Sequence, residues 1–213
     1  RAGFVRIDRP VYYSDPAGIG NAENITKDLK IIGGITLNQS WEIGKQLSQL
    51  PELKLVPKYD YIYGGKNRPK IAKYLKEVVK QNDNGVLYGK INQDVVSKYS
   101  LTQKYCFSNK DIRIVNSLGK YSFMFHEKNK TYFTSRVFEQ LFSNSIVLFD
   151  TKFKELECFW DSDNTFTTVD DLIERLKEPW SWERVHKQHE MAKSFDYDSH
   201  IQAEANEIQK IVQ

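Results

Sequence analysis

An α/β fold, built on a parallel sheet with helices on both faces, is what this chain of 213 residues predicts. Three observations carry the expectation. From about residue 59 to residue 149, short strand-like runs alternate with segments of helical length, which is the pattern of βαβ units. The last of these runs, Ile146-Val147-Leu148-Phe149, is apolar without interruption, as strands covered on both faces are. Hydrophobic residues make up 40% of the chain and aromatic residues 13%, which excludes a disordered tail and supplies a sizeable core.

Taken in order, the first 25 residues read as irregular, with a short apolar piece at 4–7, then Asp8-Arg9-Pro10, then a stretch punctuated by Pro16, Gly18, Gly20 and Asn21. Residues 30–35 read as a strand closed by glycines, and 41–49 as a helix stopped by Pro51. Residues 59–63 form the next strand, ended by Gly64-Gly65, and Pro69 opens a helix to about residue 80 because proline is tolerated at the first helical position. A strand at 85–88, a short helix at 92–98, a strand at 104–107 and a short helix at 112–118 follow. A strand at 121–125, a helix at 133–142 and the apolar strand at 146–149 complete the set of strands. Beyond residue 165 the pattern is wholly helical. Thr168 and Asp171 mark a helix start, Leu172, Ile173 and Leu176 form its apolar stripe, and Pro179 separates it from a second helix at 182–193. A last helix at 198–212 carries Ile201, Ala205, Ile208 and Val212 at three-to-four spacing and needs a surface to lie on.

Composition narrows function less than fold. With 31 basic and 28 acidic side chains the net charge is +3, too balanced for charge alone to argue for nucleic acid. No run approaches the roughly 18 apolar residues of a membrane span. The start, Arg1-Ala2-Gly3-Phe4, has no signal-peptide pattern and no initiator methionine, so a piece of a longer protein is expected. Cys106 and Cys158 stand far apart without a CxxC motif, which favours a reduced, cytoplasmic setting over a disulfide scaffold or a zinc site. His186 and His189 lie three apart on a helix without an HExxH motif and read as a solvated helix face, so no metal site is expected. Trp180-Ser181-Trp182-Glu183-Arg184 reads as helix packing rather than a DNA-stacking patch.

Two stretches could carry chemistry. Tyr61-Ile62-Tyr63-Gly64-Gly65-Lys66-Asn67-Arg68-Pro69-Lys70 joins a strand, a glycine turn, three cations and a helix start. Glycine lets a backbone approach a ligand, and a helix start offers free N–H groups to an anion. With Lys66, Arg68 and Lys70 this makes a phosphate cradle at the carboxyl end of a parallel strand. A plain chain reversal with solvated cations is the other reading, and the motif is neither a Walker loop nor GxGxxG. In the second stretch, Arg136 and Glu139 stand three apart on one helix face. Arg136 could clamp a diphosphate while Glu139 accepts from a ribose diol; a surface ion pair is the alternative.

Together these stretches resemble the donor-nucleotide half of a GT-B glycosyltransferase. More narrowly they resemble the DNA β-glucosyltransferase family of T-even bacteriophages, which glucosylates 5-hydroxymethylcytosine in duplex DNA from UDP-glucose. The resemblance rests on Tyr61-Ile62-Tyr63-Gly64-Gly65 with Arg68, on Phe107-Ser108-Asn109-Lys110, on Glu127-Lys128-Asn129, and on Arg136-Val137-Phe138-Glu139 with the strand at 146–150. Order and approximate spacing hold from about residue 30 to residue 195. It implies a Rossmann-like donor lobe, a UDP-sugar as donor and duplex DNA as acceptor. Gly64, Gly65 and Lys66 would meet the phosphates, Arg68 and Arg136 would bind the diphosphate, Lys110 would sit beside the uracil, and Glu139 would hold the ribose hydroxyls. Glu127 would lie near the sugar. Asp8, in Ile7-Asp8-Arg9-Pro10, would be the general base of an inverting transfer, with a turn aspartate as the alternative.

Two departures from the family bear on the donor. The family's second phosphate-loop arginine has Lys70 as its nearest substitute here, a point charge in place of a fork. Two residues are missing between Glu127 and Arg136, near the sugar, so glucose is implied by the family and not by this stretch. A Mg2+ or Mn2+ ion is compatible with such a donor and demanded by no motif.

The implied organisation is a trailing part of an acceptor lobe with its linker at 1–50, a nucleotide-sugar lobe at 51–195, and a helix at 196–213 bracing the first lobe. The rest of that first lobe would come from a longer gene or a partner chain. Two other functions fit the same pattern: a non-catalytic nucleotide-binding module, and a glycosyltransferase acting on a polysaccharide or protein.

Overall fold

The computed structural model describes residues 5–6, 35–36, 39–66, 69–90, 109–125 and 135–212. Two short strands, β1 (Val5–Arg6) and β2 (Ile35–Thr36), pair in parallel, and α1 (Gln39–Ser48) follows. Next come β3 (Tyr59–Lys66), α2 (Pro69–Gln81), β4 (Gly85–Lys90), α3 (Asn109–Asn116), β5 (Gly119–Met124), α4 (Ser135–Leu141) and β6 (Ile146–Asp150). A 3-10 helix (Lys154–Phe159), β7 (Thr165–Phe166) and the helices α5 (Val169–Arg175), α6 (Trp182–Lys193) and α7 (Tyr197–Val212) complete the chain.

Five strands form one sheet in the order β4-β3-β5-β6-β7, every neighbouring pair parallel. Alternation along the strands assigns the two faces. Tyr61, Tyr63, Leu87, Tyr121, Phe123 and Leu148 pack against Ile71, Leu75 and Val78 of α2 and Leu172 and Leu176 beyond it. Met124, Val147 and Phe149 pack against Trp41 and Leu47 of α1 and Val137, Phe138 and Leu141 of α4. The fold class is thus the expected Rossmann-like α/β, with the apolar β6 covered on both sides.

The amino edge of the sheet is tied together by polar groups. Asp60, at the start of β3, accepts from Lys120 at 2.7 Å, from Asn82 at 3.2 Å and from Asn84 at 3.1 Å, which joins β3 to β5 and to the α2–β4 turn. Ser143-Asn144-Ser145, a turn by its composition, is entirely buried where it enters β6. Its backbone is accounted for group by group, as a buried turn requires. Gln188 of α6 donates to Leu141 O at 2.9 Å and Ser145 O at 3.0 Å and accepts from Val147 N at 2.8 Å. Trp180 Nε1 donates to Asn144 O at 2.9 Å, and the Asn144 amide donates to Leu53 O and Leu55 O at 3.0 and 2.6 Å.

Three expectations change. The strand at 146–149 does not close the set: β7 adds a fifth, two residues long and in register with Phe149 and Asp150. Its anchor is the fully buried Phe166, but two residues are too few for periodicity to register. The helix expected at 112–118 begins earlier and ends at Asn116. Of the two histidines expected on a solvated face, His186 is exposed but His189 is buried, with Nε2 donating to Ser143 O at 2.8 Å. The helical period puts His189 on the stripe of Val185, Gln188 and Ala192, the face that α6 turns to the sheet. Trp180 and Trp182 pack against the core as expected. The short helix at 92–98, the strand at 104–107 and the first five positions of the strand at 30–35 lie outside the described residues.

Candidate functional site

Sheet order decides where a ligand would sit. The chain runs from β3 outward to β4, then returns across β3 to β5, so the direction of winding reverses between β3 and β5. Open α/β sheets bind ligands at the carboxyl ends of the strands at such a reversal. Tyr63-Gly64-Gly65 forms that end of β3, and α4, which follows β5, begins beside it.

The contact between these two elements is intimate. Gly65 has φ of 139°, a region L side chains rarely adopt, and a Cβ built there would collide with Arg136 Nη1 and lie 3.1 Å from Arg136 Cζ. The guanidinium carbon stands 5.1 Å from the centroid of the Tyr63 ring, within the range of a cation–π contact. Arg136 therefore fills the notch left by the missing side chain, over a tyrosine two residues back on the same face of the strand. Its Nε and Nη2 are buried and meet no hydrogen-bond acceptor, and no ion pair joins Arg136 to a carboxylate among the described residues. Those two nitrogens form the lateral edge of the guanidinium, the fork that holds two oxygens of one carboxylate or phosphate.

Gly64 is required for a different reason: a side chain there would fall inside the ring of Tyr88, its register partner on β4. The Tyr88 hydroxyl donates to Asn116 Oδ1 at 2.9 Å. Burial pushes the Tyr88 phenol up to about 12, with Glu139 and Tyr63 adding to the rise and Arg136 and the Asn116 bond opposing it. The phenol thus stays neutral across the physiological range. Glu139, one turn into α4, is 4% exposed. A surface ion pair between Arg136 and Glu139, the plainer reading of their spacing, is not what forms.

Of the residues expected at a donor site, the structure brings Gly64, Gly65, Arg136 and Glu139 together. Lys66 ends β3, while Lys70 and Lys110 fall in the first turns of α2 and α3; the side chains of these three lie outside the described residues, as do Asp8, Arg68 and Glu127 altogether. Tyr63, Tyr88 and Asn116 belong to the same neighbourhood and were not anticipated. Only the two-residue strand period, which sets Tyr63 beside Gly65, could have pointed to any of them.

A doubly covered parallel sheet, a glycine strand end at the winding reversal and a buried arginine fork beside it define a Rossmann-like α/β class. No protein-family model and no curated protein sequence matches the chain. Among solved structures, the chain is similar in fold to T4 phage β-glucosyltransferase in complex with its UDP-glucose substrate, with a TM-score of 0.59, 18% identity, and coverage of 85% of this chain and 61% of that one. The same T4 phage enzyme in complex with UDP and Mn2+ superposes with a TM-score of 0.57 at 17% identity, covering 79% of this chain and 54% of that one. A third structure, of the DNA-modifying enzyme β-glucosyltransferase with and without uridine diphosphoglucose, has a TM-score of 0.56 and 19% identity, with coverage of 79% and 58%. The chain thus spans 54–61% of the length of the chains in these three structures, and at these identities the shared property is the fold. The resemblance read from the sequence motifs and the similarity of folded structure point to the same relatives.

Proposed function

We propose that the chain is the donor-binding part of a UDP-sugar-dependent glycosyltransferase that transfers a hexose, glucose by analogy with its structural neighbours, to a hydroxymethylated base in duplex DNA. One observation carries the reading: the lateral edge of Arg136, buried and without an acceptor among the described residues, beside the positive-φ Gly65 at the sheet's winding reversal. A guanidinium with two buried, unmatched nitrogens is costly unless an oxyanion completes it, and a diphosphate offers that oxyanion. Glu139, three residues on and buried, is in reach of the same neighbourhood and suits a ribose diol. Lys66, Arg68 and Lys70 add positive charge to the phosphate end, and Lys110 and Glu127 are assigned to the uracil and sugar ends.

In the transfer, the acceptor hydroxyl attacks the anomeric carbon, and the bond from that carbon to the diphosphate oxygen breaks with inversion. The hydroxyl proton passes to a carboxylate, for which Asp8 is the candidate, and the negative charge on the departing diphosphate is met by Arg136 and the neighbouring cations. Among the described residues no cluster of three metal-ligating side chains occurs. A divalent ion bound with the donor would be held through the diphosphate oxygens. In domain terms, residues 51–195 form the nucleotide-sugar lobe, 1–50 a trailing part of the acceptor lobe with its linker, from which α1 packs on the sheet, and 196–213 a helix bracing that first lobe.

Calorimetry with UDP tests the donor site. The wild-type chain should bind UDP, and Arg136→Ala and Glu139→Ala should each weaken binding at least tenfold; unchanged affinity in both variants overturns the assignment. An assay with UDP-glucose and hydroxymethylated DNA then tests the acceptor: glucose transferred to DNA supports it, whereas transfer only to water or to another acceptor refutes it.

A further inference from the structure

We propose that Tyr63 is a positioning residue for the donor diphosphate, holding the Arg136 guanidinium in the orientation that presents its Nε–Nη2 edge; this rests on the diphosphate assignment above. Arginine has four side-chain torsions, and a guanidinium at the start of a seven-residue helix could point in many directions. Here two surfaces restrict it. The Tyr63 ring lies 5.1 Å from Cζ, and Nη1 is seated at the Gly65 backbone, where a side chain would be. Nη1 is thereby seated against β3, with Nη2 3.2 Å from the same point, and the Nε and Nη2 donors are left buried without an acceptor among the described residues.

Tyr63 is well suited to act as a platform because it cannot itself move. It is 3% exposed, sits in a strand paired on both sides, and packs edge-on against Phe125 at 5.7 Å. A rigid ring under a flexible cation lowers the ordering cost of binding, so the effect belongs to the phosphates and not to the nucleoside. An aliphatic residue at position 63 would fill the core yet offer the guanidinium no negative ring face.

The experiment compares UDP with uridine on the full chain, with thermal melts to confirm folding. Tyr63→Leu should bind UDP about tenfold more weakly while its uridine affinity, measured by NMR titration, stays within about twofold of wild type. Tyr63→Met, unbranched and longer, should behave alike and serves if the leucine variant does not fold. Tyr63→Phe, which restores the ring without the hydroxyl, should recover UDP affinity to within about threefold. Loss of UDP and uridine binding in equal proportion, or no loss of either, overturns the platform while Arg136→Ala still weakens UDP. If Arg136→Ala binds UDP as tightly as wild type, the diphosphate assignment itself has failed.

Discussion

Burial holds the His189 imidazole below the ordinary histidine range, with Arg113 and Lys193 pushing the same way and the Ser143 carbonyl and Glu52 carboxylate opposing them. The ring is neutral in the fold, with its Nε2 proton committed to Ser143 O. Because the folded value lies below the unfolded one, the unfolded chain binds more protons between the two, and stability is lost as pH falls below about 6.5. His189→Gln keeps a donor in the place of Nε2 and removes the titration. Urea melts between pH 7 and pH 5 should therefore show a wild-type midpoint that falls more steeply than that of His189→Gln; parallel profiles would sink the assignment. At this scale the sequence was an uneven guide. Arg136 and Glu139 stood out by their spacing of three on a helix, which by itself fits a surface ion pair; only the family resemblance gave them a donor role. Tyr63 was not, because a tyrosine in an alternating strand reads as core, and its role comes from the side chain that Gly65 lacks. His189 was misjudged because polar type was weighed above its place on the helical stripe.

At the scale of elements, the docking of α1 has the clearest consequence. Trp41 is fully buried and stacks on Phe195 at 5.6 Å and on His200 at 4.6 Å, while Phe138 of α4 lies 5.9 Å away. Lys45 of α1 also pairs with Asp198 of α7 at 2.6 Å. One tryptophan thus joins the helix before the main sheet to the helix on the β5–β6 crossover and to the last helix. Tryptophan-to-alanine changes in such cores cost about 3–5 kcal/mol. Trp41→Ala should lower stability by about that amount in urea melts, whereas a loss under about 1 kcal/mol would mean that α1 folds apart from the sheet. The apolar spacing of α7 made it legible as needing a surface, while α1 was legible only as a helix stopped by Pro51. Which surface was not legible, because the partners Phe138, Phe195 and His200 lie far along the chain. The same limit hid the burial of Ser143-Asn144-Ser145: turn composition is local, but the groups that satisfy it come from Leu53, Leu55, Trp180 and Gln188.

For the whole molecule, the sheet order makes the candidate site a property of the fold and not of any single segment. Gly65 comes from β3 and Arg136 from the crossover between β5 and β6, some seventy residues later, and they meet because β5 returns to the inner side of β3. Alternation of strands and helices announced the fold class, yet strand order rests on crossovers that no local pattern encodes. A ligand bridging β3 and α4 should therefore stabilise the global fold and not merely quiet a loop. For a ligand that binds only the folded state, stabilisation at a concentration of 100 times Kd is about 2.7 kcal/mol. For a chain near 200 residues that corresponds to a rise in Tm of about 5–10 °C. UDP at that excess should shift the whole melting transition of the wild-type chain by this amount and shift Arg136→Ala by about half as much or less at the same concentration. A wild-type transition that does not move under saturating UDP would show that the two sides of the reversal are not joined by the nucleotide, and the buried edge of Arg136 would then need a different partner.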